Sequence, residues 1–126
     1  MTTEYQHSMP FGPGLLPGGG AEFRLWAPGA KRVELLLTAA QGAREVPMDR
    51  SSDGWHRLAV PSAAPGDRYR YRIDGGLAVP DPASRFQPDD VHGPSELVDP
   101  SAFDWGEAER DWTGHPWHQA VIYELH

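Results

Sequence analysis

The sequence predicts an all-β fold, an antiparallel β-sandwich, on three observations. Alternation of apolar and polar residues recurs in short runs between residues 21 and 80. The runs are separated by clusters of Ser, Asp, Pro and Gly, and no stretch before residue 100 sustains a helical period. Short strands with turn signals at close spacing are the pattern of two packed antiparallel sheets.

Residues 1–20, "MTTEYQHSMPFGPGLLPGGG", carry no periodicity and read as an N-terminal arm. "AEFRLWAP" then puts Phe23 and Leu25 on one face and Glu22, Arg24 and Trp26 on the other. "KRVELLLT" alternates again, with Val33, Leu35 and Leu37 inward, and the two runs are expected to form a hairpin. "AREVPM", "GWHRLAVP" and "DRYRYRID" follow as further strands. In the last, Tyr69, Tyr71 and Ile73 share one face and Arg68, Arg70 and Arg72 the other, so one side of that strand is wet. From residue 81 the character changes: Pro82, Pro88, Pro94 and Pro100 break any long element, and residues 81–119 read as an ordered connector lying across another surface. Residues 120–126, "AVIYELH", are apolar and β-branched enough for a strand buried on both faces, and the sequence offers no obvious neighbours for it.

Composition narrows the function. The 126 residues carry 18 acids against 11 Lys and Arg, a net charge of −7, which disfavours a nucleic-acid or anionic membrane surface because phosphate binding needs clustered positive charge. Without cysteine there is no disulfide or thiolate metal site, and without asparagine no N-linked glycosylation. No apolar run approaches the roughly 18 residues of a membrane helix, and no signal-peptide pattern opens the chain, so a cytoplasmic setting is expected.

Hydrolases with two fixed carboxylates are not supported: Asp89 and Asp90 are adjacent in a loop, and Asp104, Glu107, Glu109 and Asp111 sit in a solvated stretch. His115 and His118 have metal-compatible spacing but no recognisable third ligand, so no metal is expected. Phosphate-loop and nucleophile-elbow motifs are absent. Aromatic residues are more informative, since a sugar ring presents an apolar C–H face to Trp or Tyr. Trp26, on a polar face, is expected either to stack on sugar or to be covered by another domain, and Trp55 is expected to fill the core.

The pieces "FRLWAPGAKRVELLL", "GDRYRYRIDGG" and "VPDPASR", in that order, resemble the N-terminal immunoglobulin-like domain of family 13 glycoside hydrolases, a domain related to carbohydrate-binding module family 48. Within that group "SRFQPDDVHGPS" leading to "YELH" is similar to the trehalohydrolase branch. The resemblance implies an immunoglobulin-like sandwich over residues 21–80, a connector over 81–119, and at 120–126 the first strand of a truncated (β/α)8 barrel, whose strands are buried on both faces. It implies that the longer parent hydrolyses the α-1,4 bond beside the terminal trehalose of maltooligosyl trehalose. The family chemistry is retaining and uses two carboxylates and no cofactor. Those carboxylates lie on later strands, so no catalytic residue is expected here. The implied partners are the chain's own catalytic barrel and an α-glucan substrate. Arg85, Gln87, Asp89 and His92 are the candidates for substrate contact, with interdomain tethering as their alternative role.

Two departures bear on these expectations. Family patterns have Gly where Asp90 stands, which raises the question of that turn's backbone. Glycogen-binding members carry a Trp after an "FNN"-like turn and another after the "DG" that ends the long strand; here the stretches are "TAAQGAREVPM" and Leu77. A structural module is therefore expected over the alternatives, a glycan-binding module or the N-terminal domain of a related glycogen branching or debranching enzyme.

Overall fold

The computed structural model describes residues 9–126, so residues 1–8 of the expected arm, and the side chain of Glu109 in the acidic stretch, lie outside the described part. Among the described residues nine strands form two antiparallel sheets. They are β1 (Gly14–Leu15), β2 (Ala21–Trp26), β3 (Val33–Ala39), β4 (Gly42–Pro47), β5 (Asp49–Arg50), β6 (Trp55–Val60), β7 (Arg68–Ile73), β8 (Ala78–Val79) and β9 (Ser95–Glu96). The first sheet has the order β1-β2-β6-β5; the second has β4-β3-β7-β8, with β9 also paired to β7. A 3-10 turn at Pro100–Ala102 and a short helix α1 (Gly106–Arg110) follow.

Strand alternation builds the core as the pleat requires. In the first sheet Phe23 faces Leu58 and Leu25 faces His56; in the second Leu35 faces Tyr71 and Leu37 faces Tyr69. All of these but Leu58, which packs against the core half-buried, are buried between the sheets with Val33, Val60 and Leu97. Phe23 meets Tyr69 edge-on across the core at 4.9 Å, the arrangement that ring quadrupoles favour. The opposite face of β7 is wet, as its alternation requires: Arg72 pairs with Glu45 at 2.8 Å and Arg68 with Asp89 at 2.7 Å.

Two expectations are corrected. β2 and β3 do not form a hairpin: β2 pairs with β1 and β6, and β3 with β4 and β7. Alternation requires only that the apolar faces of β2 and β3 point into the core, which opposed sheets satisfy as well as a hairpin does, and residues 27–32 carry the chain from one sheet to the other. The sandwich also exceeds residues 21–80, because β1 and β9 join the sheets and Leu97 enters the core at 1% exposed. Much of the 81–119 stretch is thus part of the sandwich. Residues 120–126, expected to open a truncated barrel, carry no strand ladder within this chain, and Val121, Ile122, Tyr123 and Leu125 are all exposed. A strand exists only when its N–H and C=O groups meet a neighbour, and none lies beside this run among the described residues. Among those residues no helix is long and apolar enough to cross a membrane.

Candidate functional site

The outer face of the first sheet and the loops that overhang it gather the candidate residues. Trp26 on β2 lies directly opposite Trp55 on β6, so both rings project from the same outer face. Trp55 is therefore not the core filler its surroundings suggested. The phase of β6 is set by Leu58 and Val60, which turn inward with His56 and leave Trp55 and Arg57 outside. Trp55 is half-buried by other means: the Phe11 ring packs on it at 5.4 Å, and the Arg57 guanidinium lies 4.9 Å over its face. Trp26 remains 54% exposed, with its indole N–H donating to the Asp53 carbonyl at 3.3 Å.

Phe11 reaches Trp55 because two arginines strap the arm across the sheet. Arg24 Nε donates to the Gly12 carbonyl at 2.9 Å and its Nη2 to the Met9 carbonyl at 3.2 Å. Arg85 Nη1 donates to the Pro13 carbonyl at 2.9 Å and its Nη2 to that of Phe11 at 3.3 Å. Glycine suits position 12: its φ of +81° is the left-handed region, and a Cβ would sit 2.9 Å from Arg85 Nη1 and 3.1 Å from the Ala83 carbonyl.

Beneath the strap lies a buried carboxylate. Asp81 Oδ2 accepts from the Tyr69 hydroxyl at 2.7 Å, and Oδ1 from the Ala83 N–H at 2.8 Å. Its own N–H donates to Ser95 Oγ, which ties β9 to the loop. Burial pushes the Asp81 carboxyl above its ordinary range, against the opposing pull of the Ala83 N–H, the Tyr69 hydroxyl and Arg85. Burial likewise drives both the Tyr69 and the Tyr71 hydroxyls up, so both are neutral donors. Phe11, Gly12, Arg24, Leu25, Trp26 and residues 81–83 line a groove of about 410 Å3 between strap and sheet.

The four loop candidates do not converge on one cavity. Arg85 holds the strap, and Gln87 Nε2 donates to the Val91 carbonyl at 2.7 Å, closing its own loop. Asp89 pairs with Arg68 on the second sheet. His92 is exposed, and among the described residues its imidazole makes no hydrogen bond; its carbonyl accepts from Arg70 Nη2. The turn at Asp90 is ordinary: among the described residues the one non-glycine with positive φ is Asp74. Among those residues no three His, Asp or Glu side chains assemble into a metal-binding group. Sequence reading missed Asp81 and Tyr69, although "VPDPAS" beside a Tyr-rich strand was the available signal: an acid between prolines, in a loop that must return to the sheet.

The profile of the carbohydrate-binding module 48 family (isoamylase N-terminal domain) matches residues 10–100, which include all of the strap but Met9, both sheets and the Asp81 loop. The chain belongs to the carbohydrate-binding module 48 family. Relatives of this module include a malto-oligosyltrehalose trehalohydrolase from Mycobacterium tuberculosis, 45% identical over 83% of this chain. A glycogen debranching enzyme from Dickeya chrysanthemi is 32% identical over 86% of the chain. In solved structures, the module superposes on a putative alpha amylase from Salmonella typhimurium with a TM-score of 0.77 at 39% identity, covering 94% of this chain and 19% of that one. The chain spans 18% of the M. tuberculosis relative and 21% of the D. chrysanthemi one.

Proposed function

We propose that this chain serves as the N-terminal module of a malto-oligosyltrehalose trehalohydrolase and that the sandwich acts there as a structural brace. The observation that carries the reading is the identity gap: relatives bearing that name are 38–45% identical, against 30–32% for glycogen debranching enzymes. In the longer enzyme, two carboxylates of the catalytic barrel would cleave the α-1,4 bond next to the terminal trehalose of maltooligosyl trehalose, with retention. The module would supply none of them. Residues 98–119 would lead toward that barrel and 120–126 would begin it.

A bracing role is supported by what the family's glycan-binding positions hold here. Leu77 is 83% exposed at the end of the long strand, and the turn after β3 presents Ala39, Ala40 and Gln41, with no ring to stack on a sugar. In the loop of residues 85–92, three of the four candidate side chains are engaged within the module, which leaves the His92 imidazole as the group free to meet substrate or barrel. The test is the product. The polypeptide that joins this chain to its catalytic part should release trehalose from maltooligosyl trehalose. Release of linear chains from a branched α-glucan, without trehalose, would replace this reading with the debranching one.

A further inference from the structure

Phe11 and Trp26 are each 54% exposed, yet neither is loose. Trp26 is pinned by its hydrogen bond to Asp53, and Phe11 by its stack on Trp55 and by the strap that Arg24 and Arg85 hold. Folding has fixed two large rings without taking them out of water, so the hydrophobic gain from their remaining surface is still available to a partner. Between them the groove of about 410 Å3 is walled also by Leu25, Pro82 and Ala83.

The chemistry of the groove decides what can fill it. Most of its polar groups are engaged inside the module: Arg24 through Nε and Nη2 on the Gly12 and Met9 carbonyls, Asp81 on Tyr69 and Ala83, the indole N–H on Asp53. A sugar ring could stack on the aromatic walls but would leave its hydroxyls short of directional partners, which costs affinity. An apolar protein side chain needs none. The outer face of the second sheet differs: Arg68 and Arg72 are paired there with Asp89 and Glu45, and such exposed pairs gain little from being covered.

We propose that the Phe11–Trp26 groove is the socket through which the module docks on the catalytic part of the longer enzyme, receiving an apolar side chain from it. This rests on the reading of the chain as a trehalohydrolase module. The occupant follows from length: the chain spans 17–18% of the trehalohydrolase relatives it matches, so their catalytic portion is tethered to it. A tethered partner at millimolar effective concentration needs only a small apolar contact to stay docked.

The chain has no cysteine, which permits a direct test. Trp26→Cys and Leu77→Cys variants are made in the 126-residue chain and in the longer enzyme, and maleimide labelling at each position is followed by peptide mass spectrometry. The rate at position 26 relative to position 77 should fall at least tenfold from the short chain to the longer enzyme. An unchanged ratio overturns the proposal. So does protection of position 26 in the short chain by maltohexaose, which would make the groove a sugar site. Should a variant fail to fold, hydroxyl-radical oxidation of Trp26 and Phe11 in the unmodified proteins gives the same comparison. Shielding in a longer enzyme that releases no trehalose would reject the functional reading and leave the docking intact.

Discussion

Replacing Tyr69 by Phe removes one oxygen from the middle of the molecule and isolates what the buried carboxylate contributes. Tyr69 is 1% and Asp81 3% exposed, and their 2.7 Å contact gives Asp81 one of its two donors. A hydrogen bond to an ionised buried group contributes about 1.5–3 kcal/mol, since its loss leaves the carboxylate under-solvated. For a domain of this size about 2 kcal/mol lowers the melting temperature by roughly 6–10 °C. The loss should depend on pH. Burial holds the folded-state pKa of Asp81 above its unfolded value, so the folded protein binds the extra proton and stability falls as pH rises through the window between the two. Tyr69 restrains that fall by favouring the ionised form. In Tyr69→Phe the folded-state value rises further, the window widens, and the deficit grows from acidic pH toward neutrality. Urea unfolding at several pH values, with Asp81→Asn as background, measures this directly. In that background the Tyr69→Phe penalty should shrink to about 0.5–1 kcal/mol, the scale of a neutral pair. A deficit equal at pH about 3.5 and 7, or one below about 0.5 kcal/mol in the native background, would refute the reasoning.

Other expectations are sharper for being paired. Gly20→Ala should destabilise more than Gly12→Ala in thermal melts: both have positive φ, but the Cβ at Gly20 meets the Val60 carbonyl at 2.5 Å and Pro61 backbone at 2.6 Å, whereas at Gly12 its nearest neighbour is the movable end of Arg85. Arg85→Ala should cost about 1–3 kcal/mol of stability by releasing the strap, while His92→Ala should leave the melting temperature unchanged and, in the longer enzyme, alter KM or kcat if its imidazole meets substrate. Phe23→Ala, at a fully buried position, should cost about 3–5 kcal/mol in denaturant titrations. Asp74 accepts from the N–H groups of Arg32 and Lys31, which lower its pKa, so its contribution is present above the ordinary carboxylate value and lost as pH falls through the folded one; Asp74→Ala should flatten that part of the acid-denaturation profile.

The strands were legible because a period of two is a local property: "DRYRYRID" states which side of β7 is wet without reference to anything else. Pairing was not legible, and β2 shows why. Alternation says which face of β2 turns inward but not whether its hydrogen-bonding neighbour is β3 or β6, a relation between distant segments. Trp55 failed for a related reason. Its place after the "SSDG" turn argued for burial, but its neighbours Leu58 and Val60 fixed the phase of the strand and sent it outward to Trp26. At the site, the exposure of Trp26 followed from alternation, whereas Asp81 and the strap depend on bonds between residues more than ten apart and leave no periodic trace.

The strap also sets an order of events during synthesis. Arg85 bonds the Pro13 carbonyl across 72 positions of chain. At ribosomal speeds of about 5–20 residues per second, the arm emerges roughly 4–14 seconds before its second anchor exists. In that interval Arg24 alone can hold it, and the Phe11 ring has no fixed seat on Trp55 until β6 has also appeared. The arm is thus made early and secured late, and a nascent chain paused before residue 85 would present a loose Phe11 ring to whatever chaperone or protease reaches it first.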